Sequence, residues 1–399
     1  MELRNLKLGW LCCIAGVLSA CGGQESATVA PSVIPTQLSV AQALFAEKAL
    51  SANGQMACAS CHTDDNAHAD ASGTSLPLGG ISMTVQGFRS SPTLLYLETN
   101  LPFRFENGQA FGGFTWDGRA SSRAEQAQGP LLDTSEMANA NASAVAAKVR
   151  QLPYYKDFVS VFGLQAIPSD EQIFDQLTKA LQTYQQLDPD YLLFNSKFDR
   201  YLDGTATLTA QEDRGLRLFN DANKGNCISC HSSQTGAQGE RPLFTNFGYS
   251  ALGLPRNTQI QANADPSFFD MGLCGPKRTD LTARTDLCGQ FKVPTLRNIE
   301  LTAPYFHNAS VTTLSQAVSF YATRDLRPEL WYPTVNGQVQ KFNDLPASLR
   351  ANVNMVRPFG LRPGDTPVLT AEDVADLVAF LRTLTDDRTA PSRSPLVKR

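Results

Sequence analysis

The pentapeptide Cys-x-x-Cys-His occurs twice in this 399-residue chain, as CASCH at residues 58–62 and as CISCH at 227–231. Two thiols and an imidazole at that spacing attach a c-type haem, the imidazole binding one face of its iron. A single motif in a reducing compartment could equally be a redox or zinc site. Two of them, each behind a helical pattern in an exported chain, point to two covalently bound haems. Cys58, Cys61 and His62 then hold one, and Cys227, Cys230 and His231 the other. The chain has only four histidines, so the opposite iron faces cannot be filled freely with imidazole.

Export is read from the N-terminus. Arg4 and Lys7 precede the uncharged run LGWLCCIAGVLSA, residues 8–20, which is too short to span a bilayer and suits a signal-peptide core. The run ends in LSAC, similar to the lipobox of bacterial lipoproteins, in which the cysteine (here Cys21) carries the lipid. The alternative is an ordinary signal peptide with a chance cysteine. The expected organisation is a signal peptide at 1–20 and a lipidated tether at 21–36. Gly22 stands where an aspartate often retains such proteins in the inner membrane, so the expected location is the periplasmic face of the outer membrane. Of nine cysteines, Cys274 and Cys288 remain after the signal, lipid and haem positions are assigned. In an oxidising compartment they are expected to pair, closing a loop of about 15 residues and contributing about 3 kcal/mol.

Helical periodicity fixes the layout. Apolar-striped segments at 39–50 and 209–222 precede the two motifs, the second opening with a capping box of Thr209 and Glu212. Further striped segments begin at Asp170 and Thr370. Helix, motif, long insertion and closing helix, used twice, predict a mainly α chain of two tandem cytochrome c-type haem domains. Their expected bounds are 37–203 and 208–387, with a tail at 388–399. A net charge of −4 with 18% charged residues supplies no basic field for nucleic acid.

The segment GGFTWDGRASSRAEQAQGPLLDTSEM, residues 112–137, and the segment FKVPTLRNIELTAPYFHNASVTTLSQAV, residues 291–318, resemble signature blocks of the bacterial dihaem cytochrome c peroxidase and MauG superfamily. With the haem motifs, the resemblance covers nearly all of 37–385. It implies that Trp116 lies between the haems, and that Gln126 and Glu136 face the open side of the N-terminal haem. Glu136 is then the acid/base residue for peroxide, moving a proton between the two peroxide oxygens. In family members that take electrons from small cytochromes, a methionine lies fourteen residues after the histidine matching His307. Position 321 is a tyrosine, as in MauG-type enzymes, where it binds iron; the plain alternative is packing on a helix with Leu314 and Val318. The resemblance also implies a calcium on backbone oxygens of Thr302 and Pro304, although Ser90 replaces the usual asparagine and removes a carbonyl ligand.

His68, six residues after His62, is expected in a loop or haem-edge role, and His307 as a brace of the second site. The segment 101–113 looks longer than usual and is expected to affect access to the first haem. The implied activity is peroxide reduction at the N-terminal haem, with oxidising equivalents relayed or stored at the C-terminal one. The partner is then either a small redox protein donor or a protein side chain oxidised in the MauG manner. A non-enzymatic electron carrier is the alternative of another class.

Overall fold

The structure is a computed structural model that describes residues 35–69 and 76–389. The signal peptide, Cys21, most of the tether and residues 390–399 lie outside the described residues. Helices dominate: α1 (Gln37–Phe45), α2 (Arg123–Leu132), α3 (Ala142–Gln151), α4 (Tyr155–Val161), α5 (Asp170–Leu187), α6 (Lys197–Leu202), α7 (Ala210–Asn220), α8 (Leu314–Thr323) and α9 (Ala371–Arg382). The described strands form two-stranded antiparallel ribbons only: β1 (Leu78–Gly79) with β2 (Val85–Gln86), β3 (Arg104–Glu106) with β4 (Gln109–Phe111), β5 (Tyr249–Ser250) with β6 (Phe291–Lys292), and β7 (Thr334–Val335) with β8 (Gln338–Val339).

The helices that close each haem motif form where caps and stripes agree. Ser169 and Gln172 make a reciprocal capping box at the start of α5, which buries Ile173, Phe174, Leu177, Leu181 and Tyr184 at helical spacing. Thr370 and Asp373 do the same for α9, and Thr209 and Glu212 for α7. α1, α2 and α3 pack on α5, while α7 and α8 pack on α9. α7 crosses α9 closely because position 215 is glycine: a Cβ there would lie 2.0 Å from the Asp376 carbonyl oxygen.

Two large apolar cores result, with smaller clusters beside them. One gathers Leu44, Phe45, Tyr96, Phe158, Leu177 and Tyr184. The other centres on Phe198, Phe219, Phe244 and Phe380, whose rings meet edge-on or tilted at 5.3–6.1 Å. Each such buried ring stabilises the fold by about 1.5–3 kcal/mol. Phe198 lies on α6, before the expected boundary at 203, yet contributes to the second core.

Arg297 ties the cores together. Fully buried, it donates twice to the Asp199 carboxylate at 2.9 Å and once to the Pro242 carbonyl at 2.8 Å. Its guanidinium also lies over the rings of Phe194 (4.5 Å) and Tyr96 (4.9 Å). Beside it, the Tyr96 hydroxyl and the Asn298 amide both donate to Asp386.

Candidate active site

Each Cys-x-x-Cys-His motif folds as a single 3₁₀ turn, Cys58–Ser60 or Cys227–Ser229. The histidine N–H then closes onto the first cysteine's carbonyl, His62 to Cys58 at 3.0 Å and His231 to Cys227 at 2.8 Å. Among the described residues no group of three or more His, Cys, Asp or Glu is arranged to hold a bare metal ion.

The histidines are oriented by the same device in both halves. His62 Nδ1 lies 2.7 Å from the His68 carbonyl oxygen, and His231 Nδ1 lies 2.9 Å from that of Phe244. A carbonyl can only accept, so Nδ1 carries the hydrogen and Nε2 is left with a free lone pair, the form that ligates iron. Burial lowers both imidazoles, His231 to about 4, which keeps them neutral. The accepting residues are themselves left-handed, His68 at φ 51° and Phe244 at φ 53°. That conformation is costly for a bulky side chain and is held here by the loop around it. His68 therefore serves the histidine side of the first site through its backbone, while its buried ring stacks on Tyr191 at 4.4 Å.

Both histidines face cavities. That of His62 has a volume of about 240 Å³ and is also lined by Cys58, Cys61, Trp116, Gln126 and Glu136. That of His231, about 200 Å³, is lined by Cys227, Cys230, Trp116, His307 and Tyr321. Apolar walls, a paired-thiol edge and a free Nε2 fit a covalently attached haem in each. Segment 101–113 forms the β3–β4 ribbon, packed through Phe103 on Tyr249 and Arg278, and its residues line neither cavity.

Gln126 enters the first cavity from α2. The chain then leaves α2 at Asp133, whose carbonyl accepts from the N–H of Glu136 at 3.0 Å, and the resulting turn delivers Glu136. Its side chain is open to water through the cavity while protein surrounds the rest. That surrounding burial, with Asp133 beside it, pushes the carboxyl up to about 7; Lys277 and Arg119 act in the opposite direction. A carboxyl poised there can both take and return a proton near neutrality.

Trp116 borders both cavities. Its indole N–H donates to the Ser90 carbonyl at 2.8 Å, its own carbonyl accepts from the N–H of Lys292 at 2.9 Å, and its ring meets His307 edge-on at 6.4 Å. The turn after it is rigid. Asp117, fully buried, accepts from Thr115, Arg119 and Arg89, and Arg89 continues to Asp270 in a two-pronged pair. Burial alone would raise Asp117, but Arg89 and Arg119 overcome it and hold it down to about 2. A Cβ at Gly118 would lie 1.9 Å from the Tyr249 hydroxyl, so the sharp turn needs glycine. Lys292 also lines both cavities. Its ammonium donates to the carbonyls of Gly112 and Gly113, and burial lowers it to about 7. Sequence reading missed Lys292 and the Arg89–Asp270 pair, which no local motif marks.

In the second cavity Tyr321 projects from α8. Its ring stacks on Phe359 at 5.2 Å, and the buried Arg324 guanidinium lies 3.7 Å over that same Phe359. Among the described residues no side-chain or backbone group hydrogen-bonds to the phenol, and burial pushes it well up, so only a nearby cation could hold it as phenolate. His307 stacks on Phe291 at 3.4 Å, with Nε2 unpartnered and 3.8 Å from Asp344. Ser90 bonds to the 306–307 backbone, its hydroxyl donating to the Phe306 carbonyl at 2.8 Å. Thr302 closes on Ile299, just before the cis Ala303–Pro304 peptide. Cys274 and Cys288 form a disulfide.

Comparison with known proteins agrees with this geometry. Residues 35–207 match the family described as di-haem cytochrome c peroxidase. The methylamine utilization protein MauG of Paracoccus denitrificans is 33% identical over 396 residues, 97% of each chain. The cytochrome c551 peroxidase of Nitrosomonas europaea is 32% identical over 326 residues, 80% of this chain and 82% of that one. Among solved structures, the diheme peroxidase BthA of Burkholderia thailandensis superposes with a TM-score of 0.81 at 38% identity, covering 89% of this chain and 88% of that one. The chain belongs to the di-haem cytochrome c peroxidase family. It is an oxidoreductase acting on peroxide, and the haem-bearing fold and the two haems are those of that family.

Proposed function

We propose that hydrogen peroxide is reduced in the cavity of His62, and that oxidising equivalents pass by way of Trp116 to the cavity of His231. Each bound haem iron supplies the redox chemistry; the protein supplies ligands, proton transfer and the path between. The observation that carries the reading is the turn at Asp133, which sets Glu136 into the same cavity as the free Nε2 of His62. Reduction of one peroxide to two waters takes two electrons and two protons. The Glu136 carboxylate accepts a proton from one peroxide oxygen and returns it to the other, which departs as water, while the Gln126 amide orients the molecule.

We assign Tyr321 as the second protein ligand at the His231 haem, because its phenol lines that cavity without a hydrogen bond to any described residue. A phenolate favours ferric and higher states, which supports the MauG-like route, oxidation of a protein side chain. Where a small redox protein donates electrons instead, the product is simply water. The two cores support a division into two haem domains. For calcium the fit is poor: an ion of that kind takes six to eight oxygens, and Ser90, held against the Phe306 carbonyl, has a short hydroxyl where the family's asparagine would extend a carbonyl. We place the chain in the periplasm, lipid-anchored through Cys21 to the outer membrane; among the described residues no helix is long and apolar enough to cross a membrane.

The test is the ferric spectrum of the holoprotein before and after peroxide. A high-spin component that disappears with peroxide, with reducing equivalents consumed two per peroxide, supports the reading. Six-coordinate low-spin iron at both sites, unchanged by peroxide, would make the chain an electron carrier.

A further inference from the structure

The loop closed by the Cys274–Cys288 disulfide reaches across to the first cavity and places Lys277 on its wall. There the Lys277 ammonium bonds to the Asp133 carboxylate, the residue that caps α2 and begins the turn carrying Glu136. The other Asp133 oxygen accepts from the N–H and hydroxyl of Ser135, at 2.9 and 2.7 Å. The Asp133 carbonyl accepts from the N–H groups of Glu136 and Ala138, each at 3.0 Å. Four bonds of the turn are therefore accepted by Asp133, and Lys277 is its cationic partner from 144 residues further along the chain.

We propose that Lys277 and Asp133 are positioning residues for Glu136, a cation brought to its cavity by the disulfide-closed loop and an anion from its own turn, and that they shift in opposite directions the pH at which it can take a proton. This rests on the reading of Glu136 as the proton acceptor. Burial raises Asp133, but Lys277 and Ser135 outweigh it and hold it below the usual range, so it faces Glu136 as an anion. The charged groups facing Glu136 are Asp133 from its own turn, Lys277 from the disulfide loop and Arg119 from the segment after Trp116. Cys58, from the haem motif, also faces it, but as a thioether does not titrate. Like charge disfavours ionisation and opposite charge favours it, so Asp133 and Lys277 act on Glu136 with opposite signs. Lys277 is about one-third exposed, so solvent screens its share and the effect is modest.

The opposition makes the test sharp. In the holoprotein, the pH midpoint of the peroxide reaction is measured for Asp133→Asn, Lys277→Met and Lys277→Arg. Asp133→Asn keeps an oxygen for the Ser135 bonds and removes the charge; it should lower the midpoint by roughly half a unit or more. Lys277→Met should raise it by a similar amount, and Lys277→Arg should restore it. Midpoints that stay put, or move in the same direction in both variants, overturn the proposal, since a purely structural role lowers rates without opposite shifts. Glu136→Gln separates the two failures. If it abolishes fast peroxide reaction while the other variants leave the midpoint alone, only this inference falls. If it leaves the reaction intact, the reading of Glu136 itself falls.

Discussion

The proton step at Glu136 makes a quantitative claim about pH. Its carboxyl is raised from an ordinary carboxylate value to about 7, so the basic form is scarce below neutrality and is gained as pH rises. With that midpoint the carboxylate fraction is about one-tenth at pH 6 and about nine-tenths at pH 8. Glu136→Gln keeps the shape and removes the acceptor, a change that costs about 10²–10⁴ in a step that needs general acid–base help. The bimolecular rate with peroxide, followed by stopped-flow at the Soret band, should therefore rise about tenfold from pH 6 to pH 8 in the natural protein. In Glu136→Gln it should be low and flat, with haem content unchanged. The ratio of the two rates should itself grow about tenfold across that range. A constant ratio would show that the pH dependence has another source, and a variant rate near the natural one would remove Glu136 from the chemistry.

Three further outcomes are expected. Resonance Raman of the ferric protein should show an iron–phenolate vibration that Tyr321→Phe abolishes, and Tyr321→Met should raise the potential of that haem, because phenolate stabilises the higher iron charge; a spectrum without that band leaves Tyr321 as packing. Arg297→Met should destabilise the folded holoprotein by about 3 kcal/mol in denaturant titration, the lower end for a broken buried pair, since Asp199 keeps Ser196 and Arg241 as partners. Cys21→Ser should move the expressed protein from the membrane to the soluble periplasmic fraction, and a natural protein already soluble there would count against lipidation.

How much of this was legible in the sequence depends on how far apart the cooperating residues lie along the chain. A haem motif is written in five consecutive residues, and a helix announces itself by its stripe, so α5, α7 and α9 stand close to where the segments from Asp170, Thr209 and Thr370 place them. Gln126, Glu136 and Tyr321 needed the resemblance between whole blocks, because a carboxylate after a helix or a tyrosine within one carries no spacing code of its own. The left-handed carbonyls of His68 and Phe244 were invisible, since neither residue type advertises positive φ. Least legible is the strip between the cavities. Lys292 reaches carbonyls 179 and 180 residues away, and Arg89 meets Asp270 across 181. Such pairs exist only once both cores have formed and the segments between them have docked. Placement of the two motif histidines is thus a local property of this chain, while traffic between its haems depends on contacts that only the assembled fold creates. It follows that substitutions around Trp116, such as at Lys292 or Arg89, should alter the exchange between the haems while leaving haem attachment intact.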